Sequence, residues 1–311
     1  MPLRDELSGF LKLPSAFFGI RPPGSGLPDV GVLGIPYDIT SSYYPGCRFG
    51  PDAIRRATTH ERSHSEPLKL GSTAHAERPL LTQSITLEDI GDLEVELRQP
   101  EQAMYDISDA AALLSPQESY LLFLGGDHFV TYPLLKGVRR GRPGKYGLVW
   151  LDAHADYYDD YGGYELSHAT GLRRIIGSGL VEQKNVVSYD MRSALSEHLA
   201  ELGPDSVFRD SASFKEAFDE MASRVESIYI TVDLDVLRPE LVPGVGHPES
   251  GGPDVAALTE LLRMCFASGS VRYVDLVELN PMLDTTGVAS VTARDIVKEL
   301  LTGFAVQKGY K

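Results

Sequence analysis

The hexapeptide Leu151-Asp152-Ala153-His154-Ala155-Asp156 alternates ligand-capable side chains with small apolar ones. Carboxylates and imidazoles hold divalent cations and move protons. The hexapeptide follows Tyr146-Gly147-Leu148-Val149-Trp150, an apolar run that reads as a buried strand. Side chains of an extended chain alternate between faces with a period of two. On that pattern Asp152, His154 and Asp156 leave one face of a strand end, and the alanines leave the other. A polar strand end with solvated aspartates and a histidine is the plain alternative, so partners elsewhere decide.

Three other stretches offer partners, each directly after an apolar run. Tyr120-Leu121-Leu122-Phe123-Leu124 leads into Gly125-Gly126-Asp127-His128. The glycines permit a sharp turn, and His128 then projects beyond the sheet. Asp127 reads equally as a histidine's hydrogen-bond acceptor or as a turn residue. The run 227–232 leads into Asp233-Leu234-Asp235, with both carboxylates on one face. Like charges so close repel, and a bound cation would relieve that cost. The run 271–277 leads into Glu278-Leu279-Asn280-Pro281. Glu278 is suited either to structure or to holding a cationic group.

Together, His128, Asp152, His154, Asp156, Asp233 and Asp235 supply two imidazoles and four carboxylates. Two divalent ions would balance the four negative charges. A carboxylate-rich set without thiolates prefers hard ions such as manganese to a closed structural zinc site. Two adjacent metals lower the pKa of a water between them and supply hydroxide near neutrality.

Short apolar runs alternate with amphipathic helical patterns along the chain. Strands are expected at 30–35, 120–124, 146–150, 185–189, 227–232 and 271–277. Helices are expected from Pro51 onward and over 102–114, 131–138, 193–202, 212–224, 254–268 and 290–304. This is the signature of an α/β protein with a parallel sheet covered on both faces. Ligands of such sheets bind beyond the carboxyl ends of the strands, where the residues above fall. Residues 60–85 read as a long connection. Residues 1–28, rich in proline and glycine with an apolar patch at Ala16-Phe17-Phe18, read as an N-terminal arm over a surface such as a neighbouring subunit's. Residues 29–311 read as a single catalytic domain.

The formal charge of −15 argues against a nucleic-acid partner. Cys47 and Cys265 are too few for a disulfide framework or a thiolate site. No apolar run approaches membrane-spanning length. The N-terminus lacks the basic-then-apolar layout of a signal peptide, so a cytoplasmic location is expected.

From about Val30 to about Leu301 the chain resembles the ureohydrolase family of arginases, agmatinases and relatives. Gly125-Gly126-Asp127-His128, Leu151-Asp152-Ala153-His154-Ala155-Asp156 and Thr231-Val232-Asp233-Leu234-Asp235 carry the likeness. Pro45-Gly46-Cys47-Arg48-Phe49-Gly50-Pro51 and the loop from Pro243-Gly244 to Gly251-Gly252 add to it. The resemblance implies a three-layer α/β/α sandwich around a mainly parallel eight-stranded sheet, assembled as a homotrimer or homohexamer. It implies two Mn2+ per subunit, with Ni2+ as another candidate ion. His128, Asp152, Asp156 and Asp233 would hold one ion. Asp152, His154, Asp233 and Asp235 would hold the other, with Asp152 and Asp233 shared.

The implied reaction is hydrolysis of a guanidino group to urea and an amine, by hydroxide attack on the guanidinium carbon. Asp156 would move the proton to the leaving nitrogen, Glu278 would hold the guanidinium, and His168 would shuttle protons. His168 reads otherwise as a surface histidine at a helix start. The stretch Tyr157-Tyr158-Asp159-Asp160-Tyr161-Gly162-Gly163-Tyr164-Glu165 resembles the agmatinase branch. Tyr157 and its neighbours would pack on an aliphatic tail, and the acidic residues would favour a second positive charge. Agmatine, giving putrescine and urea in polyamine biosynthesis, is therefore the expected substrate. His247 and Phe129 depart from that pattern. They keep guanidinobutyrate, guanidinopropionate, arginine and formiminoglutamate as alternatives. Outside the class stand a non-catalytic regulatory relative and a single-zinc deacetylase. All six ligand positions are filled, which disfavours both.

Overall fold

The computed structural model describes residues 16–59, 61–70, 78 and 80–309. Residues 1–15 of the expected arm lie outside the described residues, as do parts of the 60–85 connection.

Eight strands form one sheet in which every pairing is parallel. They are β1 (Val30–Gly34), β2 (Leu87–Asp92), β3 (Tyr120–Leu124), β4 (Tyr146–Leu151), β5 (Val186–Tyr189), β6 (Val207–Phe208), β7 (Ser227–Asp233) and β8 (Val271–Val277). Their order across the sheet is β2-β1-β3-β8-β7-β4-β5-β6. The helices are α1 (Gly50–Ala57), α2 (Pro100–Leu114), α3 (Thr131–Gly141), α4 (Gly171–Gly177), α5 (Ser196–Leu202), α6 (Ser211–Ala222), α7 (Val255–Phe266) and α8 (Val288–Gln307). One-turn helices join several of them.

Alternation along the strands builds two cores. Val149, Leu151, Ile230, Val232, Val274 and Leu276 face α1 and α6–α8. Leu148, Trp150, Tyr229, Tyr273, Leu121 and Phe123 face α2–α5. The result is the three-layer α/β/α sandwich. Local signals set the helix starts. Pro51 sits in the first turn of α1, where its missing N–H costs nothing. Asp210 and Asp254 cap α6 and α7 by accepting the Ser213 and Ala257 N–H groups at 2.8 Å.

Two strands and one helix lie outside the expected set. β2 has an exposed run of residues at the sheet edge, and β6 is a two-residue edge strand. Neither needs the apolar run that marks a central strand. The helix is α4, short and bracketed by glycines.

Residues 16–28 run over this chain's own surface. The Phe17 N–H donates to Thr58 Oγ1 at 3.0 Å, and the Phe18 N–H donates to the Thr58 carbonyl at 2.7 Å. Both phenyl rings are buried in the core beside α1 and α8. Each such burial contributes roughly 1.5–3 kcal/mol.

Candidate metal centre and active site

Four adjacent strands, β3, β8, β7 and β4, end at the same place. His128 follows β3, Glu278 follows β8, Asp233 closes β7 with Asp235 just beyond, and Asp152 to Asp156 follow β4. The six candidate ligands thus converge although 107 positions of sequence separate the outermost pair, His128 and Asp235.

The local geometry differs from strand alternation. β4 ends at Leu151, so the hexapeptide's side chains are aimed by a loop. Asp152 Oδ1 accepts the His154 N–H at 2.6 Å, and Asp156 has turned to φ +47°. Asp235 lies in a one-turn helix, with its N–H donated to Asp233 Oδ1 at 2.8 Å. Glu278 also sits at positive φ, +64°. Such conformations cost about 1–3 kcal/mol in a non-glycine residue and cluster at functional sites.

His128 Nδ1 lies 3.0 Å from Asp152 Oδ2, 3.2 Å from Asp156 Oδ2 and 3.1 Å from Asp233 Oδ2. It is buried and hydrogen-bonds to none of them. His154 Nδ1 lies 3.0 Å from Asp235 Oδ2 and 3.5 Å from Asp152 Oδ1. Asp152 therefore turns one oxygen to each imidazole. Ligand atoms of His128, Asp152 and Asp156 lie within 4.8 Å of one another, as do those of Asp152, His154 and Asp235. An imidazole nitrogen without a hydrogen-bond partner, ringed by carboxylate oxygens, fits a cation. Donor chemistry agrees, being all carboxylate and imidazole.

Without a cation the cluster is electrostatically strained. Burial would lower the His128 pKa, but Asp152, Asp156 and Asp233 outweigh it and raise it well above the usual value. Burial and the Asp152 charge push Asp156 up to about 6. Burial, then Asp235 and Asp152, raise Asp233. Burial pushes Glu278 up to about 7 against the pull of its hydrogen bonds. Those bonds come from the His128 backbone N–H to Oε1 at 2.8 Å and the Cys47 thiol to Oε2 at 3.2 Å.

Two close backbone approaches hold this end together. A Cβ on Gly126 would meet the Tyr37 carbonyl oxygen at 1.6 Å. Gly46, at φ +144°, lies against Asn280, whose amide donates to the carbonyls of Tyr44 and Pro45. Asp127 serves the turn between these segments. It accepts the Thr40 N–H and hydroxyl at 3.1 and 2.7 Å and holds no histidine side chain.

The cluster floors a cavity of about 210 Å³ that Glu278, His168, His247, Tyr158, Tyr161 and His198 also line. His168 is buried, not on the surface. Its Nδ1 faces the Thr40 carbonyl at 2.6 Å, and Nε2 lies 3.2 Å from Ser42 Oγ. A carbonyl only accepts, so Nδ1 carries the proton and Nε2 a lone pair. Burial, then the His247 charge, push the His168 pKa down to about 4. His247 stacks on His168 at 5.0 Å between ring centroids, and its Nε2 also meets Ser42 Oγ at 3.2 Å.

Tyr157 is not in the cavity. It is buried in the second core, with the Arg173 guanidinium 4.8 Å from its ring centre. Its neighbours Tyr158 and Tyr161 line the wall instead. Phe129 is likewise buried away from it, 5.6 Å from the Tyr37 ring. The acidic residues of that stretch are used elsewhere. Asp159 pairs with Arg173 at 2.7 Å, Glu165 with Arg174 at 3.4 Å, and Asp160 accepts the Gly163 N–H. Ser42 and His198 have no sequence signal of their own. They come from the 36–50 loop and the first turn of α5, which only folding brings together.

A sequence profile of the Arginase family matches residues 28–303. The chain belongs to the arginase family. This arginase-family chain is similar to the agmatinase of Halalkalibacterium halodurans, 30% identical over 88% of this chain and 91% of that protein. It is also similar to the human mitochondrial guanidino acid hydrolase, 32% identical over 88% of this chain and 77% of that protein. Among solved structures, the proclavaminate amidino hydrolase from Streptomyces clavuligerus superposes with a TM-score of 0.78 at 28% identity. That match covers 95% of this chain and 98% of the other. As a family member the chain is a hydrolase, with a cluster of histidines and aspartates able to bind metal. No helix among its described residues is long and apolar enough to cross a membrane.

Proposed function

We propose that this hydrolase cleaves a guanidino compound to urea and an amine, with agmatine, giving putrescine, as the first candidate substrate. One observation carries the reading. A carboxylate suited to a guanidinium, Glu278, shares a small cavity with two overlapping histidine–aspartate groups.

His128, Asp152, Asp156 and Asp233 would hold one divalent ion, and Asp152, His154, Asp233 and Asp235 the other. Manganese is the first choice and nickel the second. Such a pair supplies a water acidified near neutrality and positive charge at a developing oxyanion. Glu278 orients the substrate, because a carboxylate accepts two parallel N–H bonds from a guanidinium. Each of its oxygens keeps a lone pair after accepting from His128 or Cys47. Asp156 takes a proton from the attacking water at a carboxylate oxygen and returns it to the leaving nitrogen. His168, neutral with a lone pair on Nε2, passes a proton between the cavity and the departing amine.

A second substrate reading rests on the cavity wall. Outside the cluster and Glu278, its lining holds no carboxylate among the described residues to meet the ammonium of agmatine. Ser42, Tyr158, Tyr161 and His198 offer hydrogen-bond donors instead, which suit a carboxylate tail such as that of guanidinobutyrate.

A urea-release assay with Mn2+ or Ni2+ across agmatine, guanidinobutyrate, guanidinopropionate, arginine and formiminoglutamate tests both readings. A kcat/KM for agmatine at least about tenfold above guanidinobutyrate supports the first, since tenfold is 1.4 kcal/mol of discrimination. The reverse order supports the second. No urea from any guanidino compound by the metal-loaded enzyme overturns the proposal. The homotrimer or homohexamer is tested by light scattering on the eluting protein.

A further inference from the structure

Behind the His128 imidazole runs a chain of buried hydroxyls that the proposed reaction does not use. His128 Nε2 lies 2.9 Å from Thr231 Oγ1, and Thr231 Oγ1 lies 3.3 Å from Thr131 Oγ1. The Thr131 hydroxyl donates to Asp275 Oδ2 at 2.9 Å, and the Tyr229 hydroxyl donates to the same oxygen at 2.7 Å. All five residues are at most 1% exposed. The other carboxylate oxygen, Oδ1, meets no hydrogen-bond donor.

The direction of these bonds follows from the group at the far end. An ionised carboxylate only accepts, so Thr131 and Tyr229 must donate to it. Thr131 has then spent its single proton, and its oxygen can only accept. Thr231 donates onward to Thr131, and its own oxygen is left to accept from His128. An imidazole that holds a metal ion is neutral and has one N–H. With that proton on Nε2, Nδ1 keeps its lone pair. Nδ1 is the nitrogen that faces Asp152, Asp156 and Asp233.

We propose that Asp275 is a positioning residue that, through Thr131 and Thr231, holds His128 as the Nε2–H tautomer and keeps Nδ1 open for a metal ion. The inference rests on the reading of His128 as a metal ligand. Replacing Asp275 by leucine removes the acceptor at the end of the chain. Thr131 can then donate to Thr231, and Thr231 can donate to His128 Nε2. The imidazole proton moves to Nδ1, where it blocks the metal. The carboxylate thus matters for its hydrogen-bond polarity as well as for its fit.

The test is Mn2+ binding to the metal-stripped full chain, by calorimetry and by metal content after dialysis, with melting and circular dichroism as fold checks. Asp275→Leu is expected to weaken one of the two ions by about 10–100-fold, the usual effect of losing a ligand's orienting partner. Thr231→Val, which removes the acceptor, should lose as much, while Thr231→Ser should restore binding. Tyr229→Phe removes a donor without reversing the chain and should stay within about threefold. Wild-type affinity in a folded Asp275→Leu overturns the inference and leaves the metal reading standing. If Asp275→Leu does not fold, wild-type affinity in Thr231→Val overturns it instead. A wild-type chain that takes up no Mn2+ overturns the metal reading and this inference with it.

Discussion

At the floor of the cavity, the candidate metal ligands and Glu278 hang from the ends of four neighbouring strands. At its mouth, Ser42, Tyr158, Tyr161, His198 and His247 come from separate loops and the first turn of α5. The floor carries the carboxylates Asp152, Asp156, Asp233, Asp235 and Glu278, all buried. The mouth is a wall of rings and a hydroxyl, and Asp159 and Glu165 near it are tied to arginines on the outside. The difference teaches where each property is encoded. Sheet pairing fixes the strand ends, so the groups proposed to carry out the reaction share one rigid frame. The groups proposed to meet the substrate's tail can change with the loops while that frame stays the same.

The largest expected effect tests the floor. Asp152→Asn or Asp233→Asn should lower kcat/KM for urea release by about a thousandfold or more, roughly 4 kcal/mol of barrier. Metal content should fall in the same samples. Near-normal urea release by either variant would break the assignment of the floor to the chemistry.

A pH experiment addresses the boundary between the two regions. Burial holds the His168 pKa at about 4, below the ordinary histidine value of about 6.5. Between those values the unfolded chain binds a proton that the folded chain refuses. His168 therefore costs nothing above about pH 6.5, and stability is lost as the pH falls toward 4. The shift corresponds to at most about 3 kcal/mol. The melting temperature of metal-stripped His168→Gln should fall less than that of the parent over this window. Parallel curves would place the titration elsewhere.

The smallest effect belongs to the mouth. His247→Ser should shift the ratio of kcat/KM for agmatine to guanidinobutyrate by about tenfold, within the 1–3 kcal/mol that pocket contacts discriminate. Metal content should not change. A variant with unaltered preference but lost metal would assign His247 to the floor and erase the contrast.

Much of the floor was legible in the chain as written. Asp152, His154, Asp156, Asp233 and Asp235 stand out because charged residues directly after apolar runs are unusual in type and position. Their convergence was only half legible. Strand alternation does not govern a segment that has left the strand, and hydrogen bonds within the loops do the aiming instead. Edge strands β2 and β6 carry no sequence signal because a strand exposed on one flank needs no continuous apolar run. Tyr157 points into the second core rather than the cavity, because its side-chain direction depends on a turn that no periodicity describes.

By itself, the sequence determined the layer architecture, the central strands and the ligand types. These follow from local apolar runs and from the acid–base character of single residues, both carried by the chain before it folds. Only the tertiary structure decided which side chains meet. It turned Asp152 toward both imidazoles, buried His168 and stacked His247 upon it, and set Asp275 behind His128 through two threonines. Asp275 lies inside the apolar run of β8 and gives no sign there of a partner on β7 or α3. Its hydrogen bonds cross strands and layers, and such contacts exist only once the sheet has closed around them.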